Sequence, residues 1–558
     1  MKQWWKESVF YQVYPRSFKD SDGDGIGDLK GVICKLDYLK DLGIDVVWLG
    51  PINKSPNDDN GYDVSDYYDI SNDFGTMEDF DLLLAELHKR DMKLLMDLVV
   101  NHTSDEHKWF MEAKKNKENP YRDYYIWRDE INGKEPNNWE SIFNGSVWEY
   151  NPETEDYYLH LYSKKQPDLN WTNNDVKKEV YNLSKFWLDK GVDGFRLDTI
   201  TTISKDMNFP DAPIVNKDNK YQPATEYYLN RQKTLDYLHE FQENVLSKYN
   251  SVTIGEIQGV SSDHALKYLN EEDGVMDLAF QWEHIEATPG TGEKWDEDFW
   301  NLQHFRSVMT KWQNLLEGKG WNTLYLSNHD QPRPVSRFGD DLQYWKESAK
   351  MLATCIHMMK GTPFIYQGEE IGMTNVAFDS IEDYRDVETL NMYYDESNKK
   401  YSSKELLKKI HEKSRDNART PMQWSTEENA GFSNSEPWIK VNPNYKNINV
   451  AEQEKDGESI LNFYKKLINL RKNYPVIIWG EYNLILENHP NIYAYTRIYK
   501  DEVLLVINNF SSFAQKFNWE TRKEFSNVEL LISNYNVEDK DYKKIDLKPY
   551  ESRVYLLS

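Results

Sequence analysis

The sequence predicts an α/β protein whose parallel strands close into a (β/α)8 TIM barrel. Short apolar runs rich in β-branched residues alternate with amphipathic stretches, which is the pattern of parallel strands joined by crossover helices. Eight such runs are present, the number that closes a barrel. The predicted strands are Val9–Tyr14, Val46–Gly50, Lys93–Val100, Val192–Leu197, Val252–Ile257, Gly274–Phe280, Asn322–Leu326 and Pro363–Tyr366.

The stretches between these strands carry helix signals. In residues 29–42 apolar residues recur every three or four positions, and Gly43 follows them as a residue suited to a left-handed helix end. Ahead of the third strand, Thr76 and Asp79 form a capping pattern, and the apolar stripe Phe80–Leu87 follows. We interpret both stripes as helix faces that pack on the core.

Uneven strand spacing predicts two further parts of the molecule. The third and fourth strands are separated by more residues than one crossover helix needs, and residues 103–171 are crowded with Trp, Tyr, Asn and Pro. We predict an inserted subdomain there, overhanging the mouth of a barrel made of residues 1–102 and 172–474. Short alternating segments such as IYAYTRIY and VLLVINNF then predict a C-terminal antiparallel β-sandwich over residues 475–558.

The composition excludes several classes of partner. A net charge of −27 at pH 7 repels nucleic-acid phosphates and anionic lipid surfaces. The two cysteines, Cys34 and Cys355, are too few for a disulfide framework, and the first residues contain no apolar leader. We expect a cytoplasmic protein, monomeric, with no nucleic-acid and no membrane partner.

Ionisable residues cluster where the predicted strands end. The third strand ends in DLVVNH, the fourth in GFRLD, the fifth in TIGE and the seventh in SNHD. One Asp at a strand end is often a buried pair or a helix cap. Desolvated carboxylates are costly unless they are paired or used, so four such ends together indicate a catalytic site. The residues concerned are Asp97, His102, Arg196, Asp198, Glu256, His329 and Asp330.

Glycoside hydrolysis with retention uses such a set, because one carboxylate attacks the anomeric carbon while a protonated one donates to the leaving oxygen. Asp198 suits the attack, since Arg196 lies two residues earlier on the same strand face and is expected to keep it ionised. Glu256 follows an apolar run, where desolvation favours the protonated form of a proton donor. Asp330 is expected to bind sugar hydroxyls and help the ring distort.

These motifs resemble glycoside hydrolase family 13, the α-amylase clan, and within it the α-glucosidase and oligo-1,6-glucosidase branch, over essentially the whole chain. QPDLN at 166–170 looks like the signature of that branch. The resemblance implies that Asp198 is the nucleophile, Glu256 the acid/base and Asp330 the transition-state stabiliser, in a tight pocket that accepts the end of a small oligosaccharide. The residues that it implies for holding the non-reducing glucose are Asp63, Tyr62, His102, Arg196, His329 and Arg419.

An acidic loop near the N-terminus, DSDGDGIGD, predicts a cation site. Hard oxygen ligands at this spacing suit Ca²⁺ and, less well, Mg²⁺, although the loop is not a full EF-hand because its twelfth position is Gly31. Members of the branch that the chain resembles carry a structural cation in this loop. The alternative is a solvated acidic turn. The predicted ligands are Asp20, Asp22, Asp24, the Ile26 carbonyl and Asp28.

Substrate choice depends on fewer residues. Thr199 follows the expected nucleophile, and in the branch that the chain resembles a Thr there accompanies α-1,4 specificity and a Val α-1,6 specificity. We therefore expect a retaining exo-α-glucosidase with a maltose-like preference. The segment HMMKGTPFIYQGEEIGMTN looks closest to oligo-1,6-glucosidases, which leaves α-1,6 or dual specificity open. Thr199 packing only against its strand is the structural alternative.

Three other functions are weighed against hydrolysis of simple α-glucosides. Sucrose isomerases carry an arginine-rich loop after the sixth strand, whereas EHIEATPGTGEKW here contains no arginine. A trehalose-6-phosphate hydrolase would need a basic cluster for the phosphate, and the sequence has no obvious one. A non-catalytic binding barrel would lose the catalytic acids, which this chain retains.

Overall fold

All eight predicted strands are present in the computed structural model, which describes residues 3–285, 294–295, 300–395, 400–537 and 541–558. They form one parallel sheet in the order β6-β5-β4-β3-β2-β1-β8-β7, which is the neighbour order of a (β/α)8 barrel. The predicted fold class is confirmed. The strands are β1 Phe10–Val13, β2 Val46–Leu49, β3 Lys93–Leu98, β4 Gly194–Leu197, β5 Val252–Ile257, β6 Leu278–Gln281, β7 Thr323–Leu324 and β8 Thr362–Tyr366.

Side chains close the barrel between β6 and β7. The Thr323 hydroxyl donates to the carbonyl of Ala279 at 2.6 Å, and the Tyr325 hydroxyl donates to the carbonyl of Gln281 at 2.5 Å. β7 therefore reaches β6 largely through side chains, which explains why its backbone strand is shorter than predicted.

The sixth strand begins later than predicted. The backbone N–H groups of Val275 and Met276 both donate to the carbonyl of Tyr268 and so do not join the sheet at this point. The strand starts only at Leu278, where β6 pairs with β5.

Helices return the chain from each strand to the next. The capping box of Thr76 and Asp79 is formed, the stripe that follows is buried, and Gly43 ends its helix at φ 100°, all as predicted. The stripe over residues 29–42 is split into two helices. The α-helices are Leu29–Ile33, Leu36–Leu42, Met77–Lys89, Lys108–Ala113, Asn174–Lys190, Gln232–Asn244, Ser262–Leu269, Leu302–Leu316, Pro334–Phe338, Trp345–His357, Val387–Tyr394, Ser403–Lys413, Asp416–Arg419, Val450–Lys455, Ile460–Asn473 and Pro475–Trp479.

A small antiparallel sheet follows β3. Its strands are Trp127–Arg128, Trp148–Asn151 and Asp156–Leu159, with the last in the middle. The hydrophobic cluster beside this sheet also includes Phe209 and Tyr228 from the segment after β4. Because residues beyond 171 pack with the sheet, the division of the chain at 103–171 stays a prediction.

The C-terminal part is antiparallel, as the alternating pattern predicts. A five-stranded sheet runs in the order Glu481–Ile485, Ile492–Tyr499, Glu502–Asn509, Ser552–Leu557 and Val528–Ser533, and a second sheet pairs Gln515–Asn518 with Lys544–Leu547. Arg497 joins the larger sheet to the barrel by donating from Nη1 to the carbonyl of Met358 at 2.8 Å. Within the residues that the structure describes, no helix has the length and apolar character needed to span a membrane.

Candidate active site

Three strand ends meet on the guanidinium of Arg196. Its Nη1 lies 2.9 Å from Oδ1 of Asp97 at the end of β3 and 2.5 Å from Oδ1 of Asp198, which follows β4. Its Nη2 lies 2.8 Å from Oε2 of Glu256 in β5. All four side chains are buried. Because Asp198 and Glu256 bond the same guanidinium, the structure brings the two carboxylates together at the carboxyl rim of the barrel.

Thr199 contacts both carboxylates. Its backbone N–H donates to Oε2 of Glu256 at 3.0 Å, and its hydroxyl donates to Oδ2 of Asp198 at 3.3 Å. This placement requires φ 39° and ψ 34° at residue 199. The left-handed region is unfavourable for a β-branched residue and costs roughly 1–3 kcal/mol. Oε2 of Glu256 thus accepts from two donors, while no residue in the described ranges donates to its Oε1.

Asp198 and Glu256 share the guanidinium of Arg196 with a third carboxylate, Asp97. Burial raises the pKa of Asp198 to about 7, although Arg196 opposes the rise. Burial likewise raises the pKa of Glu256 to about 7, with Arg196 again opposing and Asp198 adding to the rise. Arg196 acts on Asp198 in the direction that the sequence analysis expects, but desolvation outweighs it. Near neutral pH the two carboxyl groups therefore share about one proton.

Asp330 differs from this pair because it has its own cations. Its Oδ1 lies 3.3 Å from Nη1 of Arg415 and 2.9 Å from Nη2 of Arg419, and its Oδ2 lies 3.0 Å from Nε2 of His329. Burial alone would raise the pKa of Asp330, but these three partners hold it well below its ordinary value. Asp330 is therefore an ionised carboxylate beside the pair.

The two predicted histidines, His329 and His102, both contact Tyr62. The ring of His329 is stacked between Tyr14 and Tyr62, with ring centroids 6.0 Å and 5.1 Å away. Nε2 of His102 lies 3.0 Å from the carbonyl of Tyr62, and burial lowers the pKa of His102. Tyr162, which the sequence analysis missed, lies beside His102 at a centroid distance of 5.3 Å.

Asp63 is fully buried and is bonded within its own loop. Its carboxylate accepts from the Ser55 hydroxyl at 2.9 Å and from the N–H groups of Asp58 and Asp59 at 3.0 and 3.1 Å. Asp63 has no accessible surface, whereas Asp59 keeps 5% of its own. We revise the prediction accordingly: Asp63 shapes the loop, and Asp59 is the candidate for contact with a sugar.

Arg419 is likewise fully buried. It is 0% exposed and donates from Nε to the carbonyl of His329 at 3.2 Å, whereas Arg415 keeps 7% exposure. Nη2 of Arg415 lies 3.1 Å from Oδ1 of Asp59 and joins the loop after β2 to the segment after β8. Arg415 thus replaces Arg419 as the candidate for sugar contact, and Arg419 supports Asp330. Arg415 lies four residues before the predicted Arg419, in the same segment.

The acidic loop brings together three of its four predicted acids. One carboxylate oxygen from each of Asp20, Asp22 and Asp28 lies within 4.8 Å of the other two. A Ca²⁺ ion with oxygen ligands at about 2.3–2.6 Å spans such a distance, so this donor set fits a hard divalent cation. Asp24 lies outside the group and accepts from the N–H of Ile26 at 2.7 Å.

A barrel that presents two buried carboxylates on one arginine at its carboxyl rim carries the groups of a retaining glycoside hydrolase. The family described as "Alpha amylase, catalytic domain" matches residues 12–480, and "Alpha-amylase SusG C-terminal domain" matches residues 492–554. The chain belongs to the α-amylase family, glycoside hydrolase family 13. The predicted family and enzyme class are confirmed.

Relatives resemble the chain over its full length. An oligo-1,6-glucosidase of Parageobacillus thermoglucosidasius is 58% identical, over 99% of this chain and 98% of that protein. An oligo-1,6-glucosidase of Bacillus cereus is 56% identical over 100% of both. The crystal structure of Bacillus licheniformis trehalose-6-phosphate hydrolase matches with a TM-score of 0.93 at 49% identity, covering 100% of both chains.

Proposed function

We propose that the protein is a retaining exo-α-glucosidase that cleaves α-1,6 linkages at the non-reducing end of short oligosaccharides. The observation that carries the mechanism is the bonding of Asp198 and Glu256 to the one guanidinium of Arg196. The linkage is supported by the oligo-1,6-glucosidases at 58% and 56% identity. They favour α-1,6 cleavage over the maltose-like preference expected from Thr199.

Asp198 supplies the nucleophile. Its Oδ1 is held by Arg196 at 2.5 Å, whereas Oδ2, among the residues that the structure describes, has only the longer contact with the Thr199 hydroxyl, at 3.3 Å. Oδ2 is thus the freer oxygen, and it attacks the anomeric carbon to form a glycosyl ester while the glycosidic bond breaks. The positive charge of Arg196 favours the ionised form that the attack requires.

Glu256 carries the proton. Because Arg196 and Thr199 both donate to Oε2, the shared proton belongs on Oε1, from which it passes to the departing glycosidic oxygen. The ionised Glu256 then accepts a proton from water as the water attacks the anomeric carbon. The ester bond to Asp198 breaks, and glucose leaves as the α anomer.

The far side of the pocket supports exo action. The ion pair of Asp59 with Arg415, and the contact of Arg415 with Asp330, close the space between the loops that follow β2, β7 and β8. A pocket closed there admits a terminal glucose but no through-running chain. The charged and polar atoms that bind glucose hydroxyls come from Asp59, Arg415, His102, His329 and Asp330.

A cytoplasmic location and a monomeric state stay predictions.

An α-1,4 preference is the second candidate, and Thr199 favours it. Its hydroxyl lies at 3.3 Å from the nucleophile, close to the bond that is cut. Valine has the same branched shape and would bear the same backbone strain, so Thr199→Val isolates the hydroxyl. We expect this variant to raise the isomaltose-to-maltose ratio of kcat/KM about tenfold, because one small group in such a site is worth roughly 1–3 kcal/mol.

The proposed linkage is tested by kcat/KM of the wild-type enzyme on isomaltose, maltose, sucrose and trehalose-6-phosphate. Faster cleavage of isomaltose than of the other three supports the proposal, whereas faster cleavage of maltose would establish the second candidate. Isomaltulose formed from sucrose would indicate an isomerase. The sequence argument against an isomerase rests on the arginine-free segment EHIEATPGTGEKW after the sixth strand. Residues 286–293 of this segment lie outside the described residues.

We further propose that Asp20, Asp22 and Asp28 hold a structural Ca²⁺, which would tie the loop after β1 together and take no part in catalysis. Binding to the folded state alone stabilises it by about 2.7 kcal/mol when free Ca²⁺ reaches about 100 times its Kd. We expect Ca²⁺ to raise Tm relative to EDTA in the wild type but not in Asp22→Ala. Equal Tm values for the wild type in Ca²⁺ and EDTA would contradict the site.

A further inference from the structure

The signature QPDLN contains a buried carboxylate that the proposed reaction does not use. Asp168 has no accessible surface, and its Oδ2 lies 2.6 Å from Nζ of Lys205, which is itself buried. Its Oδ1 accepts from the N–H of Leu161 at 2.9 Å. A buried ion pair of this kind is seldom a large source of stability, because desolvation offsets much of its attraction. Its placement therefore invites a functional explanation.

The pair is connected to residue 199 by a continuous set of hydrogen bonds. Lys205 Nζ donates to Oδ1 of Asn101 at 2.8 Å, and Asn101 Nδ2 donates to Oδ2 of Asp168 at 3.2 Å. The Thr202 hydroxyl has one proton to donate, either to Oδ1 of Asn101 at 3.1 Å or to the carbonyl of Thr199 at 2.7 Å. The Thr202 N–H also donates to that carbonyl, at 3.0 Å.

The last member of this network is the strained residue. Thr199 adopts φ 39°, and such a conformation persists only where its surroundings over-determine it. The network donates hydrogen bonds to the carbonyl of Thr199. The N–H of Thr199 donates to Oε2 of Glu256, and its hydroxyl donates to Asp198. A shift of the segment 199–205 would therefore move the donors on both catalytic carboxylates.

We propose that Lys205 and Asp168 are positioning residues that, through Asn101 and Thr202, hold Thr199 in its left-handed conformation and thereby align Glu256 with Asp198. This inference rests on the proposed roles of those two carboxylates. The Asp of QPDLN then has a defined role, because through it the inserted segment after β3 fixes the loop after β4 on which the nucleophile sits. Besides residue 199, the network contacts His102, whose Nδ1 lies 3.1 Å from Nδ2 of Asn101.

The test uses the full-length protein and p-nitrophenyl α-glucoside. Lys205→Met leaves a buried carboxylate without its cation and is at risk of not folding, so the double variant Lys205→Met with Asp168→Asn is measured too. Thr202→Val provides a third, uncharged break in the network. Lys178→Met is the matched control, since Lys178 forms an exposed pair with Asp175 at 2.8 Å, on the helix Asn174–Lys190.

We expect the double variant to lose about 10- to 100-fold in kcat with little change in KM, since small misplacements of catalytic groups cost factors of this size. The Thr199 N–H lowers the pKa of Glu256, so loosening it moves the alkaline limb of the pH profile to higher pH. Thr202→Val should show a smaller shift in the same direction, and Lys178→Met none. These readouts are normalised to folded protein by circular dichroism.

A network that only supports the fold predicts another result: a lower Tm with kcat and the pH profile unchanged in the double variant and in Thr202→Val. That outcome would overturn the inference. If the double variant does not fold, the result for Thr202→Val decides between the two explanations. A failure of the proposed function would give a different result, namely an Asp198→Asn enzyme that is still active.

Discussion

Asp198→Asn is expected to abolish turnover of isomaltose and of p-nitrophenyl α-glucoside while leaving the protein folded. The amide keeps an oxygen that Arg196 can bond, but it is a poor nucleophile and carries no charge to stabilise the developing oxocarbenium ion. By analogy with other active-site nucleophiles, the loss in kcat is on the order of 10⁴-fold or more. Initial rates and a thermal melt on the same preparation measure both parts of the prediction.

The matched control is Asp277→Asn. Asp277 is a carboxylate just before β6, at the amino-terminal end of the barrel strands, and its Oδ2 accepts from the N–H of Thr253 at 2.9 Å. The same chemical change there should leave kcat close to that of the wild type. A folded Asp198→Asn enzyme with near-normal kcat would remove Asp198 from the nucleophile's role.

Glu256→Gln should give the second largest loss, and its size should depend on the leaving group. General acid catalysis contributes about 10²- to 10⁴-fold to the first step, so kcat/KM on isomaltose should fall by this factor, and less on p-nitrophenyl α-glucoside, whose leaving group needs little protonation. The wild-type rate should decline above pH 7 as the pair loses its shared proton, and at acidic pH as it gains a second. The variant should lack the alkaline decline.

Stability gives an independent check on Glu256. Burial raises its pKa from 4.5 to about 7, so its contribution to stability is full below about pH 4 and is lost as the pH rises through 7. Glu256→Gln has no such group to ionise, and its Tm should fall less than that of the wild type between about pH 4.5 and pH 7, where the folded but not the unfolded state holds the proton. An equal fall in both proteins, or an unchanged alkaline limb in the variant, would show that another group carries the proton.

Much of this architecture could be predicted because local and global signals agree. β-branched runs mark the strands, and the capping residues Thr76 and Asp79 with Gly43 mark helix ends. The catalytic rim was predictable for a similar reason. Parallel strands end on one side of a barrel, so Asp198 after β4 and Glu256 in β5 had to be neighbours.

The errors arise where one of two like residues faces the pocket. Asp59 and Asp63 lie in one loop, and Arg415 and Arg419 lie four residues apart in one short segment. Loop packing decides which member keeps accessible surface. The carboxylate of Asp63, for example, accepts hydrogen bonds from the N–H groups of Asp58 and Asp59. The protonation state of Asp198 could not be predicted from the sequence either. Its pKa is raised by burial and lowered by Arg196, and a sequence motif does not give the extent of burial.

The anomeric form of the glucose first released tests the central claim most directly. If Asp198 and Glu256 act by double displacement, proton NMR in the first minutes of hydrolysis of p-nitrophenyl α-glucoside will show α-glucose, with the β anomer growing only as mutarotation proceeds. Initial release of β-glucose would mean a single displacement by water, and the pair bound to Arg196 would then have been assigned the wrong roles.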